Sequence, residues 1–361
     1  MALFLALEAA AASTLKPIRV IDLTPLGPSL AMPVPRMMLF LGKRTLAVAA
    51  IANYAERPRL ANRVSPVPTS AYELRVGLFD VLTGRLLKIA TWPTNFPRNT
   101  GLLASDGSGI IAVLGDRIVR FDPTLAARDE IRLPGTSEAP WLADVDPSGR
   151  EALFVQIARD RTQLWVRVDL ERLREIQTLT PPPGSLRPES IGEGFVALVV
   201  CPHAPRGVPA PCSILVRSTS TGRDELRVPV TYSQAWPELL PAQGLYAPHP
   251  PGGFSIISVP THRKRLSRDF LPGWVAGVPA SALARDRIAI PVLQFRRQWR
   301  WMQLYIIDGL SHASAPWLAG APVISWPAAI AHSGRWLALS ADGTLLAARE
   351  SQNYVSLFRL N

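Results

Sequence analysis

The chain has 361 residues, 48% of them hydrophobic and 19% charged, and a formal net charge of +11 from 39 basic and 28 acidic side chains. This excludes a disordered-type composition, and 35 prolines work against long helices. Only four of the basic residues are lysine and 35 are arginine, so the excess charge reads first as the bias of a GC-rich coding sequence. Specific nucleic-acid binding is therefore not expected.

In chain order, residues 1–15 come first as a tail or degenerate secretory signal. They hold an apolar stretch, Leu3-Phe-Leu-Ala-Leu7, and an alanine run before Ser13, but no basic lead, and Glu8 interrupts the apolar core. No stretch reaches the ~18 consecutive apolar residues of a membrane span. Lys16-Pro-Ile-Arg-Val-Ile-Asp-Leu23 then has strand character and stands alone. From about residue 36 onward, short apolar runs alternate with turn residues, and no window of eleven or more keeps a helical period.

A segment of similar shape returns seven times: an apolar run, then in six copies Asp or Ser, then a turn that ends in Gly-Arg in the first and fourth copies and in another residue before Arg in the fifth. It reads Val76-Gly-Leu-Phe-Asp80-Val-Leu-Thr-Gly-Arg85, Ile118-Val-Arg-Phe-Asp122, Trp165-Val-Arg-Val-Asp169 and Ile214-Leu-Val-Arg-Ser218-Thr-Ser-Thr-Gly-Arg223. Ile256-Ile-Ser258, Leu304-Tyr-Ile-Ile-Asp308 and Val355-Ser-Leu-Phe-Arg359 complete the series. The spacings between the aligned positions are 42, 47, 49, 40, 50 and 51 residues. A period of ~40–50 is that of propeller blades. The second copy shows the whole unit: runs at 100–105, 110–114, 117–121 and 129–133, separated by Asp106-Gly-Ser-Gly109 and Gly115-Asp116. Asp146-Pro-Ser-Gly149 and Ala341-Asp-Gly343 occupy the same first turn in the third and seventh copies.

The last run, Tyr354–Leu360, is the third of its blade, and the lone N-terminal run supplies the fourth. The expected fold is thus all-β: a seven-bladed propeller of four-stranded antiparallel blades, one domain over residues 16–361, closed by its N-terminal strand. Two packed sandwiches are the alternative. The Ser-Asp-Gly and Ala-Asp-Gly-Thr turns, with Phe-Asp…Thr-Gly-Arg, resemble bacterial propeller proteins with WD40-like or YVTN-type repeats. The resemblance covers residues 36–361 and bears on fold; the Gly-His and Trp-Asp dipeptides of true WD40 repeats are absent.

In a propeller the loops between second and third strands gather on one face beside the channel. Here these are 53–71, 115–116, 158–163, 202–211, 249–253, 296–298 and 350–353. They carry eight arginines (Arg57, Arg59, Arg63, Arg159, Arg161, Arg206, Arg296 and Arg297) against Glu56, Asp116, Asp160 and Glu350, a net charge of +4. Trp299, Arg300 and Trp301 follow directly, so the face suits a protein or an anionic polymer through guanidinium contacts and stacking; the two tryptophans also read simply as packing between blades. Cys201 and Cys212 flank the proline-rich loop opposite one another, where a disulfide fits and would indicate a periplasmic or secreted protein rather than a cytoplasmic one.

His203 beside the two cysteines lacks a fourth ligand, so no metal is expected, and no cofactor loop or catalytic motif is present. Glu138, Asp144, Glu189 and Glu238 fall at or near innermost strands and could approach the channel. The leading expectation is a monomeric, non-catalytic binding propeller. A propeller hydrolase or lactonase with a site at the channel mouth, and a quinoprotein or amine-dehydrogenase-like propeller, are the alternatives. The side chains lining the channel separate the three.

Overall fold

A computed structural model describes residues 16–28, 37–53, 72–96, 99–105, 109–133, 140–158, 160–182, 185–201, 212–230, 237–249, 252–270, 274–282, 287–296, 299–307, 317–320, 337–349 and 353–360. Strand β1 is Arg19–Asp22. Blade 1 follows as β2 (Met38–Leu41), β3 (Thr45–Asn53), β4 (Tyr72–Asp80) and β5 (Leu86–Thr94). Blade 2 is β6 (Thr100–Ser105), β7 (Ile110–Leu114), β8 (Arg117–Phe121) and β9 (Ala127–Arg132). Blade 3 is β10 (Trp141–Val145), β11 (Glu151–Ile157), β12 (Gln163–Asp169) and β13 (Arg174–Leu179). Blade 4 is β14 (Ser185–Gly192), β15 (Phe195–Val200), β16 (Cys212–Ser218) and β17 (Asp224–Val230). Blade 5 is β18 (Glu238–Leu240), β19 (Gly244–His249), β20 (Gly253–Ser258) and β21 (Lys264–Asp269).

Blade 6 departs from the plan. Its inner strand is split into β22 (Trp274–Ala276) and β23 (Ala280–Ala282), both paired to β24 (Arg287–Arg296), with β25 (Trp299–Ile307) and β26 (Trp317–Gly320) outside. Pro279 has no N–H for the ladder, which is why the strand breaks at Gly277–Pro279. Blade 7 is β27 (Leu337–Leu339), β28 (Leu345–Arg349) and β29 (Tyr354–Arg359). Its outer strand is β1, antiparallel to β29 with Arg19 opposite Leu357 and Asp22 opposite Tyr354.

The seven sheets form a ring whose cores lie between blades. One layer joins blades 7 and 1 through Ile21, Leu46, Val48, Phe79 and Leu357; others join 1 to 2, 2 to 3, 3 to 4, 4 to 5 and 5 to 6. A blade packed on both faces needs middle strands apolar on both faces, and β7 (Ile-Ile-Ala-Val-Leu) is buried at every residue. Outer strands instead have an open edge. β9 reads Ala-Arg-Asp-Glu-Ile-Arg and is mostly exposed, its charges guarding the edge against pairing.

The recurring Asp or Ser caps the turn after the third strand in blades 1 to 4. Asp80 Oδ1 accepts from Thr83 N at 2.7 Å, and Asp122 Oδ1 from Thr124 N at 2.7 Å. Hydrogen bonds from these threonines hold both carboxyls below the usual range. Ser218 Oγ takes the same place in blade 4, accepting from Thr221 N at 3.3 Å. The chain then turns left-handed at Gly84 (φ 73) and Gly222 (φ 69). The same register, set by an N–H···O bond to an arginine carbonyl five residues on, recurs at Ser258–Arg263. There the left-handed residue is His262 (φ 57), exposed and without glycine's freedom. His262→Gly is expected to raise stability by about 0.5–1 kcal/mol, the relief of backbone strain exceeding the added entropy of the unfolded chain. Urea unfolding checks this, and a lowered midpoint contradicts it.

Candidate functional site

The first-to-second turns, and the third-to-fourth turns of blades 1 to 6, belong to one face of the ring, here the turn face; the fourth strand of blade 7 is β1, so it has no such second turn. The second-to-third connections and the passages between blades lie on the other, the loop face. All seven second-to-third connections run between the strands expected, from Asn53 to Tyr72 in blade 1 through Arg349 to Tyr354 in blade 7. Arg57, Arg59, Arg63, Arg159, Arg206 and Arg297 lie outside the described residues. Arg296, Trp299, Arg300 and Trp301 are described as backbone only, with Arg296 opposite Trp299, and Trp301 opposite Gln294, across the β24–β25 hairpin.

Arg161 is exposed in the β11–β12 turn with a left-handed φ of 68, and its N–H donates to Ala158 O at 2.9 Å. Beside it, Thr162 donates to Asp160 from hydroxyl and backbone, which holds that carboxyl below its usual range. Elsewhere on this face Asp116 pairs with Arg132 at 2.8 Å, and His249 Nδ1 lies 3.6 Å from Asp269. The cysteines sit where β15 ends and β16 begins. Their sulfurs are bonded, Sγ–Sγ 2.03 Å, so the disulfide closes the base of the 202–211 loop.

The channel contains a cavity of about 340 Å³. Met38, Phe40, Ala104, Pro279 and Leu337 supply apolar or small walls, and Ser105, Ser148 and Ser281 supply hydroxyl-bearing residues. Glu238 is the single carboxylate among its described lining residues. That group belongs to an internal arrangement with Tyr246, directly across the β18–β19 pair. Burial, and after it the Glu238 charge, push the Tyr246 phenol far up, so it stays neutral and donates to Gly277 O of blade 6 at 2.9 Å.

Asp144 does not line that cavity. It is fully buried in β10 and held by three donors: Val145 N at 2.6 Å on Oδ1, with Ser190 Oγ at 2.8 Å and Ile191 N at 2.9 Å on Oδ2. Ser190 Oγ in turn accepts from Leu239 N at 2.9 Å. One carboxyl and one hydroxyl thereby tie the inner strands of blades 3, 4 and 5. β-Bulges at Leu142–Asp144 and Pro188–Ser190 accompany these bonds. Glu189 is the extra residue of the second bulge and half-buried, and Glu138 lies outside the described residues. Among the described residues no three His, Cys, Asp or Glu side chains come together as metal ligands.

No family model matches the chain, and no curated protein matches it. Solved structures do. A chain from the crystal structure of the mitotic checkpoint complex superposes with a TM-score of 0.53 at 13% identity, covering 96% of this chain and 95% of that one. BamB from Moraxella catarrhalis aligns over 96% of this chain and 100% of its own at 12% identity, with a TM-score of 0.45. The likeness is one of fold. At such identities it carries no residue of a site across, and the propeller's chemistry has to be read from its own side chains.

Proposed function

We propose that the chain is a non-catalytic, monomeric propeller that binds a protein or an anionic polymer on its loop face, in a periplasmic or secreted setting. The observation that carries this reading is the channel: apart from Glu238 its described walls are apolar or small, and the buried Asp144 nearby is engaged in holding blades together. A hydrolytic site would instead gather several carboxylates, amides or imidazoles at one mouth. The bonded cysteine pair supports an oxidising compartment. No helix among the described residues is long and apolar enough to cross a membrane.

Retention on immobilised heparin tests the polymer-binding face. The wild-type protein should elute late, with the logarithm of binding falling linearly in the logarithm of salt, and each loop-face arginine reversed should lower that slope by about one. R57E/R59E/R63E and R296E/R297E should elute early, whereas Glu238→Gln in the channel should elute with wild type. Unchanged elution of both arginine variants contradicts the reading.

A further inference from the structure

We propose that the turn face, opposite the loop face, docks on a membrane surface of anionic phospholipids. Three independent features of that face support this. The first is charge. Within the turns of blades 4 and 5 lie Arg223 and Arg263, and the first residues of β17 and β21 add Lys264 and Arg265 but also Asp224 and Glu225, so that with Glu193, the one carboxylate inside these turns, the net charge is +1. That carboxylate is already engaged, accepting from Ala242 N at 3.1 Å and Gln243 N at 2.9 Å in the next blade. The outer strand that follows balances itself, Asp224 and Glu225 against Arg217 and Arg227, with Arg217 Nε on Asp224 at 2.8 Å.

The cations stand on a fixed platform. Thr219 N donates to Gly194 O at 2.8 Å, Val259 N to Gln243 O at 2.9 Å, and Arg265 Nη2 to Ala242 O at 3.3 Å. Together with the Glu193 bonds, these lace four turns of two blades into one continuous surface. Arg223, Arg263 and Lys264 are exposed on it. They are also a product of the repeat: Arg85, Arg174, Arg223 and Arg263 occupy the same turn position in blades 1, 3, 4 and 5.

The second feature is an apolar side chain at a turn tip. Leu82, between β4 and β5, is 52% exposed, and Arg44 and the exposed Arg85 are its basic neighbours in the same blade's turns. A projecting leucine flanked by arginines suits the boundary of headgroup and acyl chain. The third is the point of entry. Ile18 N donates to Leu357 O near the end of β29, and Gly84 packs on the Arg19 side chain, so Lys16 and the 43%-exposed Ile18 lie on the turn face.

A broad face of turns without aromatic platforms among its described residues presents its charge to a plane, which favours a bilayer over a strand of nucleic acid. Seated this way, the ring holds its loop face away from the bilayer, free for the partner proposed above.

Flotation of the full chain with vesicles tests the inference. Binding to phosphatidylcholine vesicles doped with phosphatidylglycerol should exceed binding to phosphatidylcholine alone by at least about tenfold, and should fall as salt is raised. R223E/R263E/K264E should lose that gain, and Leu82→Glu should weaken it, while the loop-face variant Arg161→Glu floats as wild type. The reversed residues are exposed, so each variant's thermal unfolding should match wild type, which separates lost docking from lost folding. Equal binding to both vesicles, no binding to either, or a triple variant that floats like wild type overturns the proposal. So does retention on heparin without flotation.

Discussion

A chain lacking residues 1–23 will not hold a closed ring: its thermal unfolding midpoint should fall by more than about 10 °C, or the protein should fail to refold. The reason is the position of β1. It completes blade 7 and removes the free edge of β29, which would otherwise present unpaired N–H and C=O groups. Its inward side chain Ile21 is fully buried in the layer between blades 7 and 1, and Leu23 and Leu26 continue that layer. Truncating one such side chain costs about 2–5 kcal/mol, and several lost together exceed what a marginally stable domain can spare.

The segment after β1 adds a second hold, on blade 1. Leu26 O accepts from Arg75 Nη1 at 2.8 Å, and Arg75 is paired with the fully buried Glu73 on the same strand. A Cβ at Gly27 would overlap that guanidinium, and its φ of 72 also requires glycine. Point variants make the prediction sharper. Ile21→Ala should cost about 2–4 kcal/mol, and Val20→Ala, at a position 49% exposed, under about 0.5 kcal/mol. Equal effects at the two positions, or an unchanged midpoint in the deletion, would refute the closure.

Closure was legible in the sequence because two local facts agreed: blade 7 lacked a fourth run, and a lone run stood before blade 1. The third strands were legible because all but the last end at or directly before Asp or Ser, a residue suited to cap a turn, and after Asp80 and Ser218 Gly and Arg follow at the same distance. The inner strand of blade 6 left no such mark, since Gly277 and Pro279 erase its alternation. The turn-face arginines were in view as part of the repeat, yet the long loops drew the functional reading to the other side. Their repetition at one blade position was the available signal. The bonds between blades could not be read at all: Asp144 and Ser190 are 46 residues apart, and Glu193 and Gln243 are 50 apart, with no local pattern joining them.

Asp144 shows what that illegibility costs a functional reading. By sequence it is an acid at an innermost strand, a candidate for channel chemistry. In the fold it is a fastening among three blades, and the two roles predict opposite outcomes on mutation. A channel acid removed as Asp144→Ala would leave the protein folded and change only its chemistry. A buried carboxyl accepting from Val145 N, Ser190 Oγ and Ile191 N leaves three donors without that acceptor, and the expected loss is about 3–5 kcal/mol. Asp144→Asn keeps one oxygen acceptor and should cost less, about 1–3 kcal/mol.

Ser190→Ala should cost about 1–3 kcal/mol, because it also strips the acceptor from Leu239 N in blade 5. The decisive quantity is the coupling. Asp144 and Ser190 touch, so in a double-mutant cycle by urea unfolding the combined loss should fall short of the sum of the single losses by at least about 1 kcal/mol. Additive losses would mean that the two residues act separately and that the inter-blade tie is not a unit. Full stability in Asp144→Ala would return this residue to the list of candidate acids and reopen a catalytic reading of the ring.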